Sequence, residues 1–284
     1  MGKYFVALII PFLMWSVCQG QMGKNSDMWD WSPDASHHNK VVQVQIMMKM
    51  KIQVTVYEDS TDENGNTISI AVKKEKEIEV PAQGTGSIVH VFKDKPVGDG
   101  FEGLAITAYH VVKEAVEGSM KIQYPDGVRI DGVRIAAYSK VFDCVMLRVW
   151  VPKGMEPFKV ARMTPIRNSE LEAMGYGGVS ITSDNLRHWK TKVAVPTDGY
   201  VMFSDSPAIP GDSGGPCLND KGELVGVING GWFWARNMSF LNGQSKYTWP
   251  TKYTGMIPIV AIYNASIELK DQLGTQKCVD EDLQ

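Results

Sequence analysis

Short runs of β-forming residues, separated by turns, fill the chain from Pro81 to about residue 230. Val, Ile, Leu, Tyr and Phe dominate the runs, and Gly, Pro or Asp recurs between them at a spacing of about 8 to 15 residues. Such spacing is typical of an all-β sandwich or barrel. Helical periodicity is confined to the short stretch VVKEAVEG, and no repeat of longer period is present. The pattern therefore predicts an all-β fold.

A longer alternation precedes these runs. Apolar residues stand at every second position from Val44 to Val56, with Gln and Lys at most positions between them. The polar segment EDSTDENGN follows, and the alternation resumes in TISIAVK. A two-residue period on both sides of a polar turn indicates a β-hairpin. We therefore predict a hairpin extension over residues 41–80, in which the Met-rich stripe is a packed sheet face and not a metal site.

The start of the chain has a different composition. Lys3 precedes the apolar run YFVALIIPFLMWSV, and the small residues Cys18 and Gly20 stand where a signal peptidase cleaves. The run is shorter than the roughly 20 residues that a membrane span needs. We predict an export signal over residues 1–20 and hence a secreted or extracytoplasmic protein. An uncleaved membrane anchor is the alternative, and only then would a membrane be a partner.

Residues 21–40 are polar and have no apolar period, which predicts a flexible linker. His37 and His38 lie in this linker. Adjacent histidines without further ligands are more often solvated loop residues than metal ligands. Motifs for metal, nucleotide or haem are also absent from the sequence, so we expect no cofactor.

Composition narrows the class of protein further. Hydrophobic residues make up 44% of the 284 residues and charged residues 21%, which suits a soluble domain with a packed core. The net charge of −3 gives no electrostatic reason for a nucleic-acid partner. Once Cys18 has left with the signal, Cys144, Cys217 and Cys278 remain, so at most one intramolecular disulfide can form. A disulfide-stapled scaffold is thereby excluded.

The segment PGDSGGP places Ser213 between glycines. Serine becomes a nucleophile when an imidazole takes its proton and a carboxylate orients that imidazole. Among five histidines, His110 ends the apolar run LAITAYH just where a loop begins, so its ring can face a cleft. Asp143 opens a later apolar run, where a carboxylate needs a donor such as a histidine Nδ1–H. We therefore predict His110, Asp143 and Ser213 as catalytic residues.

The same glycine-rich loop predicts a site for negative charge. Its glycines allow positive φ and a close approach of substrate. The backbone N–H groups of Gly211, Asp212 and Ser213 can point into one concavity, which would hold the oxyanion of a tetrahedral intermediate.

The order His, Asp, Ser in these contexts resembles the trypsin/chymotrypsin superfamily of serine proteases over residues 84–231. The stretches GTGSIVHVF, YPDGVRIDGVRIAAYSKVFDCVMLRV and MFSDSPAIPGDSGGPCLNDKGELVGVING are similar to the HtrA-type branch, which has no activation peptide. The resemblance implies two antiparallel six-stranded β-barrels with the active site between them. These barrels would span residues 81–160 and 161–268, with a tail over residues 269–284.

The resemblance also implies the roles of the three catalytic candidates. His110 would be the general base, Asp143 would orient it, and Ser213 would attack the scissile carbonyl. The segment NKVVQV lacks the glycines of an activation terminus, so we expect no zymogen activation and no new N-terminus to hold Asp212. Only about 70 residues follow Ser213, enough to complete a second barrel, so we expect no PDZ domain.

Substrate binding is implied by resemblance as well. Pro207 would line the base of the primary pocket, and Asn229, Gly230 and Gly231 would pair with the substrate backbone as an added strand. Because the pocket base carries no acid, we expect a small or apolar side chain before the scissile bond.

These observations predict a serine endopeptidase that acts on polypeptides through an acyl-enzyme intermediate. Two alternatives remain open at this point. One is a catalytically silent protein with a protease fold that only binds its partner. The other is a viral protease of the same fold that processes a polyprotein.

Overall fold

The computed structural model describes residues 37–63, 65–177, 186–195, 202–204, 208–230 and 254–258. These residues are almost entirely β, with one short helix, α1 (Tyr109–Val112), and one 3₁₀ turn, His38–Lys40. The all-β class predicted from the sequence is confirmed. The strands are β1 (Val41–Thr61), β2 (Thr67–Val97), β3 (Gly100–Ala108), β4 (Lys121–Gln123), β5 (Arg129–Asp131), β6 (Arg134–Ser139), β7 (Cys144–Pro152), β8 (Glu170–Gly175), β9 (Arg187–Val195), β10 (Met202–Ser204), β11 (Pro216–Leu218), β12 (Leu224–Gly230) and β13 (Thr254–Pro258).

The first seven strands form one sheet in the order β5-β4-β1-β2-β3-β7-β6. We predicted six strands in this barrel, whereas the sheet has seven because β1, which we assigned to the hairpin extension, also pairs with β4. Gly132 and Val133 join β5 to β6. Gly132 has a φ of 72°, a left-handed conformation that ends β5. Since only two residues join the strands at opposite edges, those edges lie within about 10 Å at this point. The sheet is therefore strongly curled.

The remaining strands form a closed six-stranded barrel in the order β10-β13-β12-β11-β8-β9. Inward-facing residues of β8, β9, β11 and β12 fill its interior, with Trp189 as the largest of them. The members of this core are Ala161, Leu171, Ala173, Trp189, Val193, Cys217, Val225 and Ile228. The barrel gives β11 and β12, which flank the glycine-rich loop of Ser213, a rigid frame.

A second buried cluster joins residues of the curled sheet to residues of the barrel. From the sheet come Ile106 and Cys144, and from the barrel come Met174 and Leu224, all with at most 1% exposure. The side chains of Cys144 and Cys217 are both fully buried. This shared core fixes the end of β3 and the start of β7 against the barrel.

Residues 48–80 form a compact unit of their own, made of the far halves of β1 and β2. The two strands are neighbours joined by the turn at residues 62–66, in which Asp62 and Asn66 exchange hydrogen bonds. Lys49 pairs with Glu77 across the strands at 3.5 Å. The hairpin predicted from the alternation is present in the structure.

One expectation for the linker is wrong. His38 is 7% exposed instead of solvated, and its ring lies 5.6 Å from that of His188 in an edge-on arrangement. The residue is drawn into the protein because the 3₁₀ turn leads directly into β1, whose first residue Val41 is fully buried. In the ranges that the structure describes, no helix is long and apolar enough to span a bilayer. The predicted signal and most of the linker lie outside those ranges.

Candidate active site

His110 stands directly beyond β3, on the second residue of α1. The chain turns there because the Tyr109 N–H donates to the carbonyl of Asp143 at 2.9 Å. The His110 N–H donates to Asp143 Oδ1 at 2.8 Å. Two backbone N–H groups thus bond the end of β3 to the residue before β7. These bonds fix the backbone that carries the His110 imidazole.

The Asp143 carboxylate also contacts the imidazole itself. Its Oδ2 lies 2.6 Å from His110 Nδ1 and accepts a second bond, of 2.7 Å, from Asn229 Nδ2. Asp143 has a φ of 48°, a left-handed conformation that Asp tolerates better than most residues. In the neutral imidazole, Nδ1 keeps its proton and donates a hydrogen bond to this carboxylate. The other ring nitrogen, Nε2, is then free of a proton and can accept one.

Ser213 lies in the loop between Ala208 and β11, and the residue is half-buried. Ser213 Oγ donates to the main-chain oxygen of Asn229 at 3.2 Å. Across the part of the chain that the structure describes, no hydrogen bond joins it to His110. Catalytic hydrogen bonds are often loose without substrate and tighten only in its complex. Asn229 therefore contacts two catalytic candidates, Asp143 by its side chain and Ser213 by its backbone.

The loop around Ser213 presents two N–H groups and not three. Asp212 N–H donates to the carbonyl of Ile209 at 3.0 Å, so it cannot bind an oxyanion as we predicted. The N–H groups of Gly211 and Ser213 have no acceptor among the described residues. Gly211 has a φ of 99°, and a Cβ on it would stand 2.8 Å from the Tyr176 oxygen, so glycine is required there.

The Asp212 side chain points away from this concavity and is fully buried. Its Oδ1 accepts the Gly177 N–H at 2.8 Å, while its Oδ2 accepts the Ile209 N–H at 2.8 Å and Arg187 Nη1 at 2.6 Å. Arg187 is itself only 3% exposed. Burial raises the pKa of Asp212, whereas the guanidinium and the two N–H donors act to lower that pKa. The buried carboxylate thus anchors the loop through these three donors.

A family model for the trypsin-like peptidase domain matches residues 84–227, just over half of the chain, and this span contains His110, Asp143 and Ser213. The chain belongs to the trypsin-like peptidase domain family. The predicted resemblance to trypsin-like proteases is therefore confirmed.

The fold of this peptidase domain is similar to that in the crystal structure of the serine endoprotease from Yersinia pestis, with a TM-score of 0.51 and 14% sequence identity. The alignment covers 82% of this chain and 63% of that chain, so the match spans less than two thirds of the bacterial protein. No curated protein sequence matches the chain.

The peptidase domain brings some of the predicted substrate-binding residues to the site. Asn229 and Gly230 end β12 beside Ser213, and Gly230 pairs with Gly255 of β13. Pro207 and Gly231 lie outside the described residues. The side-chain amide of Asn229 donates to Asp143, a contact in addition to the backbone pairing that we predicted for this residue.

Sequence reasoning missed Arg187 and Thr85. Arg187 opens β9 within the stretch RHWKTKVAV, where an arginine reads as a surface residue. A usable signal was present nonetheless, since a buried Asp212 beside the nucleophile needs a cation. Thr85 gave no such signal, because a threonine in a buried strand is ordinary.

Proposed function

We propose that the chain is a serine endopeptidase that hydrolyses peptide bonds in polypeptides. The observation that carries the proposal is the 2.6 Å contact of Asp143 Oδ2 with His110 Nδ1, on a strand end beside the loop of Ser213. In this proposal the curled sheet and the closed barrel are the two barrels of the family, with the site between them.

The acylation step follows from these groups. The Ser213 hydroxyl first breaks its hydrogen bond to the main-chain oxygen of Asn229. Ser213 Oγ then gives its proton to His110 Nε2 as it attacks the carbonyl carbon of the scissile bond. The carbonyl π electrons move to its oxygen, and the N–H groups of Gly211 and Ser213 stabilise that oxyanion. His110 then gives the proton to the leaving amine, and the C–N bond breaks to leave an ester on Ser213.

Deacylation repeats these steps with water. His110 takes a proton from the water as it attacks the ester carbonyl, and returns that proton to Ser213 Oγ as the acid product leaves. Asp143 remains a carboxylate throughout and stabilises the imidazolium in both steps. Its three donors, the His110 N–H, His110 Nδ1–H and Asn229 Nδ2, hold it in place.

A fluorophosphonate probe tests the nucleophile directly, because only an activated serine reacts with it. The wild-type chain should be labelled, and Ser213→Ala should not be. Ser169→Ala, in the turn before β8, is the matched control and should be labelled like the wild type. Absence of label from the wild type under all conditions would favour the silent binding protein instead.

Specificity and location are part of the proposal but rest on the sequence alone. A peptide library should be cut mainly after small or apolar residues, and a cleavage profile dominated by Arg and Lys would contradict this. The enzyme would act outside the cytoplasm, and detection of an intact N-terminal segment would favour the membrane-anchored form.

A further inference from the structure

Thr85 in β2 is fully buried and makes four hydrogen bonds, two of which hold the loop of Ser213. Its N–H donates to the Ser213 carbonyl at 2.8 Å, and its hydroxyl donates to the Gly211 carbonyl at 2.7 Å. The same hydroxyl accepts the Tyr176 N–H at 2.8 Å. The Thr85 carbonyl in turn accepts the hydroxyl of Thr107, in β3, at 2.6 Å.

We propose that Thr85 is a positioning residue for the oxyanion-binding N–H groups of Gly211 and Ser213. The inference rests on the proposed function. Gly211 has more backbone freedom than its neighbours Asp212 and Ser213, and its φ of 99° is open to few other residues. A bond to its carbonyl restricts rotation of the peptide that follows it. A bond to the Ser213 carbonyl does the same on the far side of the nucleophile, so the Ser213 N–H lies between two fixed peptides, and the Gly211 N–H belongs to the residue whose carbonyl is held.

The Thr85 hydroxyl makes two hydrogen bonds at once, as a donor to the Gly211 carbonyl and as an acceptor from the Tyr176 N–H. Tyr176, whose N–H it accepts, precedes Gly177, whose N–H holds the Asp212 carboxylate. Thr85 and the Arg187–Asp212 pair thus both fix the loop, and each anchor includes one of the two residues that directly follow β8. A side chain without the hydroxyl leaves the Gly211 carbonyl and the Tyr176 N–H without this partner.

Backbone packing gives independent support. A Cβ on Gly214 would stand 2.0 Å from the Thr85 oxygen and 2.0 Å from Thr107 Oγ1. A Cβ on Gly84 would stand 3.1 Å from the Ser213 oxygen. The loop therefore packs directly against the backbone of β2 with no side chain between them. For this reason a small shift of Thr85 should displace the N–H donors of Gly211 and Ser213 as well.

The test compares Thr85→Val, which keeps the shape and loses the hydroxyl, with Thr85→Ser, which keeps the hydroxyl. Ser87→Ala is the matched control, because Ser87 is equally buried in the same strand and its hydroxyl has no partner in the described part of the chain. Loss of one oxyanion donor costs about 100- to 1,000-fold in kcat. Indirect displacement should cost less, about 10- to 100-fold for Thr85→Val, whereas KM changes little.

A peptide aldehyde, which mimics the tetrahedral intermediate, should lose affinity for Thr85→Val by the same factor as kcat/KM. Thr85→Ser and Ser87→Ala should stay within about threefold of wild type on both measures. Thermal unfolding is measured for every variant, and Thr85→Ala takes the place of Thr85→Val if the latter does not fold.

The outcomes separate this inference from the function on which it rests. An inactive, unlabelled wild type refutes the proposed peptidase. An active wild type with unchanged kcat and aldehyde binding in Thr85→Val refutes only the role of Thr85. A Thr85→Val variant with a lower melting temperature but wild-type kinetics also refutes the role of Thr85, because the residue then only stabilises the fold.

Discussion

Arg187 Nη1 donates to Asp212 Oδ2 across 2.6 Å, and both side chains are buried inside the peptidase domain. Asp212 immediately precedes Ser213, so the pair fixes the loop that carries the nucleophile. From the sequence we expected no new N-terminus to hold Asp212. The structure supplies the cation from β9 of the same chain, where no cleavage is needed to create it.

Removal of the Arg187 guanidinium should lower the free energy of unfolding. In Arg187→Met the Asp212 carboxylate stays buried without its guanidinium, and breaking a buried pair in this way costs about 3–5 kcal/mol. We expect the free energy of unfolding in urea to fall by this amount and kcat/KM to fall with it. Arg162→Met, at an exposed position, is the control and should change the stability by less than about 0.5 kcal/mol. Equal effects of the two substitutions would contradict the anchoring role.

Asn229 should be sensitive to charge as well as to size. Asn229→Asp places a second carboxylate beside Asp143 where an amide now donates at 2.7 Å. Like charges at this range favour the protonated imidazolium of His110, so the acidic limb of the kcat/KM profile should move to higher pH. At pH 7 we expect a loss of about 10- to 100-fold. Asn168→Asp, at an exposed position, should leave the profile unchanged; an unshifted limb in Asn229→Asp would refute the contact.

Gly214 should tolerate no side chain. Gly214→Ala adds a Cβ within 2.0 Å of Thr85 and Thr107, at a φ of 89°. Gly127 has nearly the same φ, 87°, but nothing lies within 4 Å of its Cβ position. Gly127→Ala should therefore cost only the left-handed strain of about 1–2 kcal/mol. Gly214→Ala should cost at least about 2 kcal/mol more in urea unfolding, because of the clash. Similar losses of unfolding free energy in Gly214→Ala and Gly127→Ala would contradict this prediction, because they would show that the Ser213 loop can move away from β2.

Much of the fold could be predicted because strand patterns are local. Alternation located the hairpin, and runs of β-formers located β3, β7 and β12. His110 and Asp143 were also found locally, since each polar residue stands at the end of an apolar run and needs a partner.

Pairing between distant residues could not be predicted in the same way. Arg187 and Asp212 lie on different elements, and nothing in the periodicity of β9 shows which partner its first residue faces. The Asp212 N–H was misassigned because the direction of an N–H depends on the dihedral angles of the loop. His38 was misjudged because burial of a short turn depends on which surface it packs against.

His37 lies beside several groups that can carry charge. Burial lowers the pKa of His37 below its ordinary value of 6.5, and the positive charges of Lys40 and His188 act in the same direction, whereas Glu172 opposes them. His38, the next residue, packs against the His188 ring. The folded protein therefore binds a proton at His37 less readily than the unfolded chain does.

Stability should fall on acidification because of this histidine. A group whose pKa is depressed on folding contributes fully above its ordinary pKa of 6.5, and its contribution is lost as the pH falls through and below that value. His37→Gln removes the titration, so the free energy of unfolding in urea should drop less between pH 7.5 and pH 5.5 than in the wild type. His90→Gln, at an exposed position, should keep the wild-type slope. Since the two variants differ from the wild type only at His37 or at His90, equal slopes in all three proteins would refute the lowered pKa of His37.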